Sequence, residues 1–314
     1  YTPRTLFPYT TLFRSVEKPQ IDKINALNIR GIVVSPDTKR YYTNGNFLSS
    51  VLGFVNSDGK GASGIELSYN KQLSGTPGSM LYEKDRNNNL LPYEDPSYVK
   101  PVDGKDVVLS IDEKIQKLAE NAAEKALKDN NAKAVNIIVM NPKNGEILAM
   151  ANKPSFDLNN PSSVFNSSTS GQSLWKNGSV QDNFEPGSIF KVITAACALE
   201  SNIGLNDTYI DNGNINVDGT IIHCWDLTGH GIENFVDIIK NSCNVGFAGL
   251  GAKLGKGRLV SFASKMGFGQ KTGVDLIGET AGLLKNPSQI NNVDLAELSF
   301  GQGIAEIGRA SCRE

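Results

Sequence analysis

Histidine and cysteine are scarce in this 314-residue chain, which has 2 of the first and 4 of the second, and no two cysteines stand as C-x-x-C. Neither residue type shows metal-ligand spacing, so the sequence predicts no metal, no cofactor and no disulfide scaffold. A basic excess is also missing: 31 Lys and Arg stand against 33 Asp and Glu, for a net charge of −2. That balance excludes a typical nucleic-acid binder. No run approaches the roughly 20 apolar residues of a membrane span. What remains is a globular composition, 39% apolar and 20% charged, long enough for one large domain or two ordinary ones.

Both ends read as foreign to the fold. Residues 6–15, LFPYTTLFRS, back-translate as CTC TTT CCC TAC ACG ACG CTC TTC CGA TCT. The reverse complement, read from its third base, encodes Ile-Gly-Arg-Ala-Ser-Cys-Arg-Glu, the sequence of residues 307–314. Folding selection does not relate two termini in this way, and the stretch resembles a short-read sequencing adapter translated at each end. Residues 1–15 and 306–314 are therefore expected to be non-native tails that contribute nothing to folding, and Cys312 drops out with them. On this reading the parent protein continues at both ends, and the lack of a membrane anchor here says nothing about it.

Residues 16–100 are rich in Gly, Asn, Tyr and Ser, with turn signals at Ser57-Asp58-Gly59, Gly75-Thr76-Pro77-Gly78 and Asn87–Asn89. They predict a small mixed α+β module with one short helix near Gly64–Leu73. Pro92, Pro96, Pro101 and Asp103-Gly104 mark a linker over Tyr93–Gly104 that breaks regular structure. Beyond it, Asp106–Ile111 reads as a strand. Asp112 then caps a predicted helix over Glu113–Lys128 that lines up Ile115, Leu118, Ala122 and Leu127. The runs Ala134–Met140 and Glu146–Ala151 flank an Asn-Pro-Lys-Asn-Gly loop, a hairpin signal. From Ser188 onward the pattern is mostly helical, with breaks at Gly204, Gly213, Gly229–Gly231 and Gly255–Gly257. Trp225, Tyr41 and Tyr42 read as packing residues, and His223 and His230 as loop residues.

The chemistry concentrates in Phe184-Glu185-Pro186-Gly187-Ser188-Ile189-Phe190-Lys191. Ser188 opens an apolar helix, and positions i and i+3 share a face, so Ser188 and Lys191 lie side by side in the first turn. A serine hydroxyl needs a base to become a nucleophile, and a partly desolvated lysine can serve. The helix N-terminus also suits a developing oxyanion. Alone, the pair reads more readily as an N-cap serine beside a solvated lysine. Asn241-Ser242-Cys243-Asn244 adds a short Ser and Asn able to relay a proton and hold an amide, and alone it reads as a polar turn.

Together, and followed by Gly267–Glu279 and Ser299-Phe300-Gly301-Gln302-Gly303, these segments stand in the order of a known family. The chain resembles a class B penicillin-binding protein, a peptidoglycan D,D-transpeptidase, and the Cys224-Trp225, Gly229-His230-Gly231 and Ser-Cys-Asn details resemble its sporulation and division branch. Gly61–Glu66 and Tyr69–Gly75 resemble that family's pedestal, or dimerisation, domain. The resemblance implies an α+β protein: a partial mixed pedestal over 16–100, then the N-terminal part of a transpeptidase domain over 101–305. In that second domain helices pack on an antiparallel sheet whose C-terminal strands are missing. It implies Ser188 as the acylated nucleophile, Lys191 as general base, Ser242 as proton shuttle and Asn244 as holder of substrate backbone. It further implies peptidoglycan stem peptides and β-lactams as ligands, a membrane glycosyltransferase partner, and an upstream anchor helix that places both domains outside the cytoplasmic membrane.

The family's third motif, Lys-Thr/Ser-Gly on an edge strand, has a decoy here in Lys271-Thr272-Gly273. It falls in a segment that the family uses as a structural loop, so Lys271 is expected to be non-catalytic and this chain alone to be inactive. A β-lactam-sensing or non-catalytic penicillin-binding module, or a D,D-carboxypeptidase or β-lactamase, shares the two motifs and is the competing reading. Because the family works outside the membrane, Cys224 and Cys243 read either as a bond that locks the Ser-Cys-Asn segment or as two buried thiols.

Overall fold

The computed structural model describes residues 16–29, 32, 34, 38–80, 98–166 and 171–308. The chain divides into two compact units, residues 1–108 with 156–171 and residues 109–155 with 172–314. In the first, helix α1 (Lys18–Ala26) begins at a capping box of Glu17 and Gln20. Three short helices follow, α2 (Ser49–Leu52), α3 (Gly64–Ser68) and α4 (Asn70–Leu73). Strands β1 (Ser79–Met80) and β2 (Tyr98–Val99) then pair antiparallel. The helix predicted near Gly64–Leu73 is thus divided at Tyr69, and the predicted linker supplies β2 and a bridge from Val102 to Thr76. The turn signal at Asn87–Asn89 lies outside the described residues.

Leu48, Val51, Phe54, Ile65, Phe156 and Leu158 are buried in this unit. The rings of Phe54 and Phe156 meet edge to face at 6.0 Å. The buried Glu66 carboxylate accepts from Arg40 Nε at 2.7 Å and Tyr42 Oη at 3.3 Å. Tyr42 is therefore a polar anchor, whereas Tyr41 is exposed and packs no core.

The second unit opens with α5 (Glu113–Asp129), whose N-cap Asp112 accepts from the amides of Lys114 and Ile115 at 2.9 and 3.0 Å. The predicted hairpin forms from β3 (Val135–Met140) and β4 (Ile147–Lys153), paired from Val135 opposite Lys153 to Val139 opposite Ala149, with a register shift before Met140 opposite Ile147. Ala119 and Ala123 of α5 lie on Ala149 and Ala151 of the hairpin. The buried face is not the predicted one, because Leu118 and Ala122 are exposed. Gln116 sets the rotation: it is fully buried, its Oε1 accepts from Met150 N at 2.7 Å and its Nε2 donates to Met150 O at 3.2 Å. A side-chain amide thus satisfies the outer edge of β4, and the alanines allow close approach. Asp106–Ile111 forms no strand; the chain there is tied by single bonds from Ser110 Oγ to Ile147 O and from Asp112 N to Leu148 O.

After the short α6 (Gly178–Gln181), the apolar core is built by α7 (Lys191–Ser201), α8 (Phe235–Lys240), α9 (Asn244–Leu254), α10 (Lys256–Lys265) and α11 (Asn292–Ser299). Helix α9 is buried almost all round, and a Cβ at Gly246 would stand 2.3 Å from Ile238 Cγ2 of α8. The stretch between α7 and α8, predicted as helix with glycine breaks, is instead strand. β5 (Tyr209–Asp211) pairs antiparallel with β8 (Gly231–Glu233), and β6 (Asn214–Val217) with β7 (Thr220–His223). Asp218 and Gly219 both have positive φ, 49° and 89°, the two-residue turn that suits the twist of a hairpin. Among the described residues no helix is long and apolar enough to cross a membrane.

The expectation that residues from 306 on stay out of the packing fails for three of them. Glu306 and Ile307 are buried, Glu306 bridges Phe184 and accepts from Gly269 N at 2.7 Å, and Gly308 N donates to Ser179 O at 3.1 Å. Backbone laid beside open backbone finds partners whatever its origin. Residues 1–15 and 309–314 lie outside the described residues.

Replacing Gln116 with Leu removes both bonds to Met150 and leaves a buried N–H and C=O unpaired. Each such group costs about 1–3 kcal/mol, so Gln116→Leu should lower the unfolding free energy in urea by roughly 2–4 kcal/mol. A midpoint equal to that of the parent chain would overturn the role given to Gln116.

Candidate active site

Pro186 leads into a single 3-10 turn, Gly187–Phe190, that runs directly into α7. Ser188 therefore lies on this tighter turn rather than on the α-helix itself. In a 3-10 turn residues three apart eclipse, which sets the Lys191 side chain under Ser188 more directly than an α-helix would. The turn rests on the segment Ser299–Gly303. Gly187 N donates to Gly301 O at 2.9 Å, Thr194 Oγ1 to Ser299 O at 2.8 Å and Gly303 N to Glu185 Oε1 at 3.0 Å. Gly301 has φ 85°, and a Cβ there would lie 2.0 Å from Gly187 O. Ser-Phe-Gly-Gln-Gly is thus a bed for the serine turn.

A second arm arrives from α8. Ser242 takes a left-handed φ of 50°, and Cys243 then caps α9, its Sγ accepting from Gly246 N at 3.1 Å. The kink directs Ser242 and Asn244 toward α7. Lys191 Nζ donates to Ser242 O at 2.6 Å, Asn244 Oδ1 at 2.8 Å, Ser242 Oγ at 3.0 Å and Ser188 Oγ at 3.3 Å. All four residues predicted for the site come together on one nitrogen. Asn244 is held at its other end as well, where Nδ2 donates to His223 O at 3.1 Å.

Lys191 is 5% exposed, and its Nζ stands 5.5 Å from the ring centre of Phe247 and 6.0 Å from that of Phe300. Burial lowers its pKa to about 8, against an opposing pull from Cys224 and Cys243. Four acceptors face an ammonium with three hydrogens. On loss of a proton, the longest contact, to the exposed Ser188, is the one free to reverse and accept the serine hydrogen.

Behind Cys243 lies a layer that sequence reasoning missed. Asp211 Oδ2 meets His230 Nδ1 at 2.7 Å and accepts from Cys243 Sγ at 3.3 Å. Burial alone would raise the Asp211 pKa; hydrogen bonds from His230, Cys224, Gly213 N and Cys243 outweigh it and hold the carboxyl at about 2. Burial first, and then the neighbouring Glu233, push the Cys243 thiol well above its ordinary range. Cys224 and Cys243 are free thiols with sulfurs 4.0 Å apart. Trp225, predicted to pack, is 66% exposed: its Nε1 donates to Asn241 O at 2.9 Å and its ring stands 5.4 Å from that of His230. The missed signal was glycine: a Cβ at Gly213 would meet Leu227 O at 2.0 Å and one at Gly229 would meet Asp211 O at 2.3 Å, the crossing that brings Asp211 to His230.

Lys271-Thr272-Gly273 is not on a strand. Its Thr272 and Gly273 amides donate to Glu279 at 2.6 and 3.1 Å, and Lys271 is exposed in that loop.

The penicillin binding protein transpeptidase domain matches residues 135–308, and the penicillin-binding protein dimerisation domain matches residues 4–109. Stage V sporulation protein D of Bacillus subtilis is 38% identical over 93% of this chain and 45% of its own length. Peptidoglycan D,D-transpeptidase FtsI of Buchnera aphidicola subsp. Baizongia pistaciae is 35% identical over 91% of this chain and 49% of its own length. The crystal structure of penicillin binding protein 3 from Mycobacterium tuberculosis complexed with ampicillin superposes with a TM-score of 0.71 at 30% identity, covering 86% of this chain and 55% of that one. The chain therefore spans about half the length of the curated relatives it matches.

Gly301→Ala should strain the serine turn, because alanine at positive φ and against Gly187 O costs on the order of 1–3 kcal/mol. The check is the urea midpoint, compared with Gly257→Ala, where a Cβ meets nothing within 4 Å. Equal midpoints for the two variants would refute the bed.

Proposed function

This chain belongs to the penicillin-binding protein family that joins a dimerisation domain to a transpeptidase domain, and we propose that its full-length parent is a serine D,D-transpeptidase that cross-links peptidoglycan stem peptides. One observation carries the reading: a buried amine, Lys191 Nζ, reaches Ser188 Oγ, Ser242 Oγ and Asn244 Oδ1 at once. Neutral Lys191 takes the Ser188 proton as Oγ attacks the carbonyl of the penultimate D-alanine. The proton passes through Ser242 to the nitrogen of the leaving D-alanine, and the acyl group stays on Ser188. An acceptor amine then attacks that ester, returns its proton by the same route and frees Ser188. Asn244, fixed by Lys191 and His223, presents its remaining amide hydrogen to donor-peptide backbone.

A β-lactam enters as an analogue of the donor, and its opened ring stays tethered to the serine. The working parent is anchored by a helix upstream of this segment, faces the extracytoplasmic side and partners a membrane glycosyltransferase. A sporulation role is the branch favoured by the likeness to stage V sporulation protein D. The segment alone is inactive, because its Lys-Thr-Gly is bound to Glu279 in a loop and supplies no edge-strand motif beside Ser188.

Fluorescent penicillin should label the full-length protein and not its Ser188→Ala variant, while the isolated 314-residue chain stays unlabelled. Label retained in Ser188→Ala would sink the assignment. A sensing module would label equally well but release no D-alanine from a stem pentapeptide in the presence of an acceptor amine.

The acylation rate should also follow the Lys191 amine. Below pH about 8 the group is protonated and cannot accept the serine hydrogen. The second-order rate constant should therefore rise about tenfold per pH unit up to that point and level off above it. A rate constant that does not change between pH 6 and pH 9, both ~1–2 units from that pKa, would remove Lys191 from the role of base.

A further inference from the structure

Asp211, Cys224, His230 and Cys243 come from four separate points of the chain: the end of β5, the residue after β7, the residue before β8 and the cap of α9. One donor atom from each lies within 4.8 Å of the other three. Asp211, Cys224 and Cys243 are buried, and the His230 side chain is 12% exposed. We propose that these four side chains form a zinc site, lying directly behind the Ser242–Asn244 segment.

The donor spacing fits the ion. Ligands at about 2.3 Å for sulfur and 2.0–2.1 Å for nitrogen and oxygen place tetrahedral neighbours roughly 3.3–3.8 Å apart. Here Cys224 Sγ stands 4.0 Å from Cys243 Sγ and 3.8 Å from His230 Nδ1, and Cys243 Sγ stands 3.3 Å from Asp211 Oδ2. Asp211 Oδ2 and His230 Nδ1, now hydrogen-bonded at 2.7 Å, must part by about half an ångström. Two thiolates with an imidazole and a carboxylate select zinc over magnesium or calcium, which take oxygen ligands.

The protein-only state is also poorly satisfied. The two buried thiols have only weak hydrogen bonds to hold them. Glu233 Oε1 accepts from Asn241 Nδ2 at 2.9 Å, so a second carboxylate borders the cluster. A dication entering it releases the two thiol protons to solvent, shifts the His230 hydrogen from Nδ1 to Nε2 and forms two Zn–S bonds, one Zn–N bond and one Zn–O bond, with no change of oxidation state.

Its consequence is positional. Cys243 is the middle residue of Ser242-Cys243-Asn244, and both neighbours bond Lys191. Zinc at Cys243 would pin the left-handed Ser242 and the first residue of α9 to the β5–β8 ladder. This role does not depend on the reaction that the site performs.

The test is cobalt substitution in the full 314-residue chain, purified under reducing conditions and stripped with a chelator. Titration with Co(II) should saturate near one equivalent, with thiolate-to-cobalt charge-transfer bands and intense tetrahedral d–d bands that zinc bleaches. Cys224→Ser and His230→Ala should each weaken Co(II) binding at least tenfold, and Cys224→Ser should halve the charge-transfer intensity. A Cys197→Ser/Cys312→Ser double variant removes the other thiols and should keep the full spectrum. Should a ligand variant fail to fold, zinc protection of Cys224 and Cys243 from alkylation in that double variant replaces it. No stoichiometric cobalt binding, a spectrum unchanged in Cys224→Ser, or thiols alkylated equally with and without zinc would each overturn the site.

Discussion

A single buried amine organises the second unit. Lys191 has lost nearly all its water, and the acceptors that replace it come from the turn beside it and from the cap of α9. Burying a cation without such partners is costly, so the nitrogen fixes how α7 meets α9. The neighbouring phenyl rings of Phe247 and Phe300 keep solvent out and lower the pKa by desolvation. The same burial that costs stability puts the amine near the pH at which it can exchange a proton.

Much of the second unit serves that nitrogen. The 3-10 turn delivers Ser188 from one side and rests on Ser299–Gly303, where only glycine fits at 301. From the other side, the strained Ser242 and the sulfur cap of α9 deliver three acceptors, Ser242 O, Ser242 Oγ and Asn244 Oδ1, within three residues. Behind them, the β5–β8 ladder stacks Asp211 and His230 on Cys243. The site is therefore a sequence of layers, each of which limits the freedom of the one in front.

Legibility in the sequence followed the range of the interaction. Asp112, the β3–β4 hairpin and the Ser188/Lys191 pair are local and could be read from spacing. The face of α5 could not, because a buried polar residue, Gln116, sets it through a bond to a strand distant in sequence. In the β5–β8 region Asp218-Gly219 between Ile215, Val217 and Ile222 carries a hairpin signal, but its scattered glycines read as well as helix breaks as they do as turns. The Asp211 cluster had no regular spacing to reveal it. Its members meet only because Gly213 and Gly229 allow two backbones to cross.

The protonation state of Lys191 is the point on which the chemistry turns. Its pKa can be followed directly in the full-length protein by carbon-13 NMR of labelled lysine Cε, assigned by Lys191→Arg. A titration near pH 8, well below the other lysines, is the predicted result. A midpoint above about 10, the range of a solvated lysine, would contradict the claim that burial prepares this amine to take the Ser188 proton.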